Sequence, residues 1–309
     1  MSINYDNKRK DITFCTMLFR MPTQNLAAIK GGNRNFEEFY LASLKRLCET
    51  FNHVSLWCDA ETANYLNKAG FKNKIHMKIM KLQDLPHWSE RESCRKIMYK
   101  MKKYVGYFLH HRSPELWVDY LPLMWAKPAI IDWAAKNNKF KSDYFMWIDA
   151  GAFSPRYANS NLWNNWNGHI VARPKRVRMT IAITLGKSRP HFVPRFVYDL
   201  CKWLFVKPIE PANSHNLAKQ NLRDIAMTNA DYDVPGGCFM VPKNKAHDFY
   251  QAFERVRKIM KKHDLCCVDQ GIFQAMMKFD VDDLFELKYI KGYKSLYALV
   301  AGKDYDTFA

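Results

Sequence analysis

Two kinds of apolar pattern alternate at the start of the chain. "DITFCTMLFRM" (residues 11–21) is almost continuously apolar and rich in β-branched and aromatic residues, which predicts a buried strand. "FEEFYLASLKRLCETF" (36–51) instead sets Phe36, Phe39, Tyr40, Leu44, Leu47 and Phe51 at helical spacing. "HVSLWCD" (53–59) predicts a second short strand ending at Asp59. "AETANYLNKAG" (60–70) predicts a helix stopped by Gly70, and "NKIHMKIMKL" (73–82) a third strand. This β-α-β-α-β order at short spacing belongs to a parallel sheet flanked by helices.

The pattern continues with a basic helical stretch over 89–111 and a helical region over 113–138 that carries Pro122 and Pro128. A polar-aromatic loop is expected at 161–169, a hairpin or two strands at 169–186, and mainly helix at 195–230. "DVPGGCFMVPKN" (233–244) reads as a glycine turn entering a short strand. Amphipathic helices are predicted at 245–263 and 267–279, and strand at 284–300. No internal repeat and no Gly/Ser linker interrupts the chain, so residues 1–309 are read as one continuous α/β domain.

"YFMWIDAGAF" (144–153) carries the first chemical signal. A strand that is apolar on both faces lies inside a sheet. A carboxylate just past its end sits at the carboxyl edge of a parallel sheet, where ligands bind. Asp149 there needs a partner: a metal ion, a sugar hydroxyl or a backbone N–H. The plainer alternative is an Asp that caps the following turn. By the same edge rule Phe19 and Arg20, after the first strand, and Asp59, after the second, are candidate ligand positions. Asp59 equally suits the N-cap of the helix that follows it.

Charge narrows the partners. Forty-eight Lys and Arg against thirty Asp and Glu give a formal net charge of +18, which favours anionic partners. "RPKRVR" (173–178) is either a solvated strand face or an attractor for an anionic acceptor. The eight cysteines are scattered without a CxxC pair, which favours buried thiols over a zinc site. No run approaches the roughly 20 apolar residues of a membrane helix, and the polar N-terminus lacks a signal core. A cytoplasmic protein, with peripheral attraction to anionic surfaces, is expected. Walker A, GxSxG and HExxH motifs are absent.

"LW…KPAIIDWAAKNNKFKSDYFMWIDAGAF", "VPGGCFMVPK" and "DQGIFQAMM", with the opening "ITFCTMLFRM", resemble the HtrL/YibB and WlaTC-like group of bacterial glycosyltransferases within the GT-A superfamily. The resemblance spans most of the chain. It implies a GT-A-like, Rossmann-like, mostly parallel central sheet flanked by helices, with a small additional antiparallel sheet. Residues 1–150 would form the nucleotide-sugar-binding half and 151–309 the acceptor half. The implied activity is glycosyl transfer from a nucleoside-diphosphate sugar, UDP-sugar favoured, to a glycan or lipid-linked saccharide.

The resemblance also assigns roles. The superfamily's DxD carboxylates hold Mn²⁺ or Mg²⁺ against the donor diphosphate, and hard cations take oxygen ligands of this kind. Asp149-Ala150-Gly151 is a DxG variant, so a cation at Asp149 and Gly151 would have one carboxylate, and a basic residue such as Lys127 could supply the missing charge. Phe19, Arg20, Asp59, Lys127, Asp149, Ala150 and Gly151 fall on the donor side. Gly236, Gly237, Asp269 and Gln270 fall on the acceptor and sugar side, with Asp269 positioned to deprotonate the acceptor or to bind donor-sugar hydroxyls. Each has a plainer structural reading: a solvated lysine, a tight turn, a helix cap. A basic nucleic-acid-binding protein and a catalytically inactive nucleotide-sugar-binding fold are the competing functions. The first of these lacks any RRM, KH or zinc signature.

Overall fold

The computed structural model describes residues 11–21, 36–102, 114–154, 175–183, 236–278 and 284–291. The polar-aromatic loop expected at 161–169, the helical stretch at 195–230 and the strand beyond residue 291 lie outside the described residues.

Among the described residues, seven strands form one sheet: β1 (Ile12–Leu18), β2 (Val54–Cys58), β3 (Ile75–Ile79), β4 (Tyr144–Ile148), β5 (Val177–Ile183), β6 (Cys238–Pro242) and β7 (Phe285–Lys291). Their order is β3-β2-β1-β4-β6-β5-β7. β1 pairs in parallel with both β2 and β4, and β5 pairs in parallel with β7. Of the described strands, β6 runs the other way, between β4 and β5. The α/β class read from the sequence is therefore the one observed. Its antiparallel component lies within the main sheet, as the reversed strand β6. Strands from residues 12–148 and from residues 177–291 share this single sheet.

Burial explains the composition of the strands. All seven residues of β1 and all five of β2 and β6 are buried. Helices cover the faces: α1 (Ala42–Thr50), α2 (Ala60–Lys68), α3 (Arg91–Lys102), α4 (Pro114–Trp125), α5 (Lys127–Asn137), α6 (Ala246–Lys262) and α7 (Asp269–Lys278). α1 is preceded by a π-helical turn, Phe36–Leu41, so the predicted helix over 36–51 is present but starts wound more loosely. Gly70, with φ of +85°, closes α2 as expected, because its left-handed backbone suits a residue without Cβ.

The break in the 113–138 helical region falls at Ala126, between the two prolines. Pro122 stays inside α4, and Pro128 sits in the first turn of α5, where its missing N–H costs nothing. α5 then packs beneath β1, β2 and β4. It returns the chain to the start of β4, so its N-terminal turn lies at the edge where β4 ends.

Candidate functional site

The parallel strands β2, β1 and β4 are neighbours and end at one edge. Asp59, Phe19–Arg20 and Asp149 therefore belong to that edge by topology. The reversed strand β6 starts there, which brings Gly236 and Gly237 alongside; the Asp149 N–H donates to the Gly237 carbonyl at 3.0 Å. Asp269, opening α7, comes from the other side. An aromatic cluster fixes that helix against β6 and α6: Phe239 lies 5.3 Å from Phe273, and Phe249 5.7 Å from Phe273. Trp125 fixes its approach, donating from Nε1 to the Cys267 carbonyl at 2.9 Å.

Lys127 is the centre of the arrangement. It begins α5 and is 2% exposed. Its ammonium donates to the Gly236 carbonyl at 2.8 Å and lies 2.8 Å from Asp269 Oδ2 and 3.3 Å from Asp149 Oδ1. The Trp147 ring lies 5.3 Å away. A cation at a helix N-terminus opposes the helix dipole, and burial disfavours its charge. Burial alone would lower the Lys127 pKa, but the charges of Asp149 and Asp269 outweigh it and raise it above the ordinary lysine value. For Asp269 burial dominates and raises the carboxyl pKa, with Lys127 pulling it back and Asp149 adding to the rise.

The two carboxylates differ. Asp269 is 2% exposed, and its Oδ2 accepts no well-directed hydrogen bond, so its 2.8 Å approach to Lys127 is an attraction of charge. Gly236 is required beside it, because a Cβ there would collide with Asp269 Oδ2 and crowd Gln270 Cγ. The Asp149 side chain is 41% exposed. Trp147 Nε1 donates to its Oδ1 at 2.9 Å, the same oxygen that faces Lys127.

The other sequence candidates divide. Ala150 is buried, and Gly151 lies against the Phe39 and Tyr40 rings, at 3.2 and 3.5 Å from where a Cβ would stand. Their loop is tied to α1 by the Phe153 N–H donating to Ser43 Oγ at 2.9 Å. Phe19 is buried. Asp59 caps α2, accepting from the Thr62 N–H at 2.8 Å, and accepts from the Arg20 N–H at 2.7 Å. The Arg20 guanidinium points into a carboxylate pair, Glu37 at 2.6 Å and Glu61 at 2.8 Å. So Lys127, Asp149, Gly236 and Asp269 converge, whereas the Asp59 and Arg20 side chains engage the first two helical segments.

The donor set expected for a divalent cation is not what the described residues present. Gly151 offers no side-chain oxygen, Asp149 Oδ1 and Asp269 Oδ2 already face an ammonium, and no grouping of three His, Cys, Asp or Glu side chains among the described residues could hold a metal.

Trp147 escaped the sequence reading, although its signal was there: it precedes Asp149 by two positions, and alternate residues of a strand share a face. A second polar cluster was also missed. His87 contacts Glu90 at 2.9 Å and Glu254 at 2.8 Å, and Arg257 reaches Glu90 at 3.0 Å and Glu254 at 2.9 Å. Its His87–Glu90 and Glu254–Arg257 members are i, i+3 pairs, whereas the contacts that join residues 87–90 to 254–257 leave no trace in the sequence. The described cysteines form no disulfide, and no described helix is long and apolar enough to cross a membrane.

No family model matches the chain, and no curated protein matches its sequence. Among solved structures it is similar to mouse xyloside xylosyltransferase 1 in its apo form. The two share 11% identity at a TM-score of 0.36, with 90% of this chain and 84% of that chain covered.

Proposed function

We propose that this protein is a glycosyltransferase of the GT-A type that moves a sugar from a nucleoside-diphosphate sugar, UDP-sugar favoured, to a glycan or lipid-linked saccharide. The observation that carries the reading is the half-exposed Asp149 carboxylate at the carboxyl edge of a mostly parallel sheet, held from below by a buried ammonium. Ligands of such sheets bind at this edge, and an exposed carboxylate is an acceptor for a sugar hydroxyl. The motif resemblance to the HtrL/YibB and WlaTC-like group points the same way, as does the net charge of +18, which suits a diphosphate donor.

In the reaction the acceptor oxygen bonds to the anomeric carbon as the bond from that carbon to the diphosphate breaks, and the acceptor proton passes to a base. Asp149 is assigned the direct sugar contact. Asp269 stays on the acceptor side, but at 2% exposure it meets an acceptor hydroxyl only after a movement of Gly236 or α7; in the observed arrangement it holds Lys127.

Thermal-shift screening over UDP- and GDP-sugars tests the reading. At least one nucleotide or nucleotide sugar should stabilise the wild type, and Asp149→Ala should fold yet lose transfer. Absence of stabilisation by every nucleotide, or full transfer by Asp149→Ala, refutes it.

A further inference from the structure

We infer that Lys127 is the resident cation of this site, so that the sugar-binding end of the site works without a divalent metal. The ligand named rests on the glycosyltransferase reading; the cation assignment does not. Three oxygens from three separate elements surround the ammonium: the Gly236 carbonyl from the turn before β6, Asp149 Oδ1 from the end of β4, and Asp269 Oδ2 from the start of α7. A bridging divalent cation between Asp149 and Asp269 would stand where this nitrogen stands.

The ammonium cannot step aside cheaply. It is 2% exposed, lies 5.3 Å from the Trp147 ring, and is anchored by the first turn of α5. A metal beside it would meet like charge in a poorly screened place. Among the described residues, Lys127 is the cation that meets Asp269 Oδ2, which is buried and without a directed hydrogen bond. The Gly236 cradle is shaped to that carboxylate, since any side chain at Gly236 would displace it.

The charges also select the ligand. One ammonium against two carboxylates leaves the cluster formally at −1. Such a cluster does not attract a bare phosphate, and its exposed member, the Asp149 carboxylate, is an acceptor only. The group that docks there is therefore a hydroxyl-bearing one, the sugar, while the diphosphate must be met by basic residues elsewhere.

Mn²⁺ alone is the first probe, followed by electron paramagnetic resonance of the free ion. Wild type should bind no Mn²⁺ that Asp149→Asn abolishes. Lys127→Met should bind Mn²⁺ at least about tenfold more tightly than wild type, the two carboxylates having been released to ligate it. One Mn²⁺ per wild-type chain, lost in Asp149→Asn, overturns the inference, as does a folded Lys127→Met with no gain. The wild-type arm decides the matter even if Lys127→Met does not fold. A second arm measures thermal shifts with UDP-sugars in EDTA and in Mn²⁺. Equal stabilisation supports a resident cation, and stabilisation only with Mn²⁺ overturns it. Silence in both, with no Asp149-dependent Mn²⁺ binding, leaves the cation assignment standing and removes the glycosyltransferase reading.

Discussion

Removing the Lys127 ammonium is the most direct perturbation of the fold at this site. Lys127→Met keeps the length and apolar stem of the side chain but strands two carboxylates, one of them 2% exposed. Breaking a buried ion pair from one side costs about 3–5 kcal/mol, mostly the penalty of the charge left behind. In a chain of this size that corresponds to a fall in Tm of roughly 5–8 °C. Urea unfolding followed by far-UV circular dichroism, in parallel with calorimetry, measures it. Lys127→Met/Asp269→Asn should recover at least about half of the loss, because the neutral amide no longer requires a counter-charge.

The loss should also depend on pH. Burial already raises the Asp269 carboxyl above its ordinary 3.8, and Lys127 restrains that rise. Without Lys127 the folded pKa climbs further while the unfolded value stays put. The folded variant then binds more protons than the unfolded chain, so its stability grows as pH falls from neutral toward the unfolded pKa and is lost as pH rises through the folded one. A Lys127→Met loss below about 1 kcal/mol, or one that deepens in acid, would refute the buried tripod.

Three further substitutions test neighbouring features. Gly236→Ala places a Cβ against Asp269 Oδ2 and should cost about 1–3 kcal/mol by overpacking, read by chemical denaturation, with Asp269→Ala as the relieving second change. Asp59→Ala removes the acceptor of the Thr62 and Arg20 N–H groups and should cost about 1–2 kcal/mol, with Asp59→Asn close to wild type. Burial raises the pKa of Glu90, but hydrogen bonds from Lys261, Arg257 and His87 outweigh it and bring the carboxyl down to about 2. Its contribution is therefore present above the ordinary value of 4.5 and fades as pH falls through about 2. Glu90→Gln should destabilise by about 1–2 kcal/mol at neutral pH and by less at pH 3, compared by urea titration at the two pH values.

The sheet was legible in the chain because burial on both faces leaves a simple trace. "ITFCTML", "VSLWC" and "YFMWI" are apolar runs of strand length, and the helical spacing between them forces parallel crossovers. That alone put Asp149, Asp59 and Arg20 at one edge. The strand reversal at β6 was not legible, since an apolar run carries no direction. Nor was the division of labour among the edge residues. Asp59 and Asp149 both end apolar strands, yet one caps a helix while the other pairs with a buried ammonium, and only the elements packed around them separate the two.

Lys127 shows the limit most clearly. In sequence it is a lysine before a proline, indistinguishable from a solvated helix end. Its burial follows from α5 lying beneath three strands, and its charge is tolerated because Asp149 and Asp269, 22 and 142 positions further along the chain, arrive at the same point. Local periodicity determined which segments are strands and helices, since it records burial residue by residue. The ion-paired centre was decided by tertiary structure alone, because electrostatic partners are chosen by distance in space, which the order of residues does not encode.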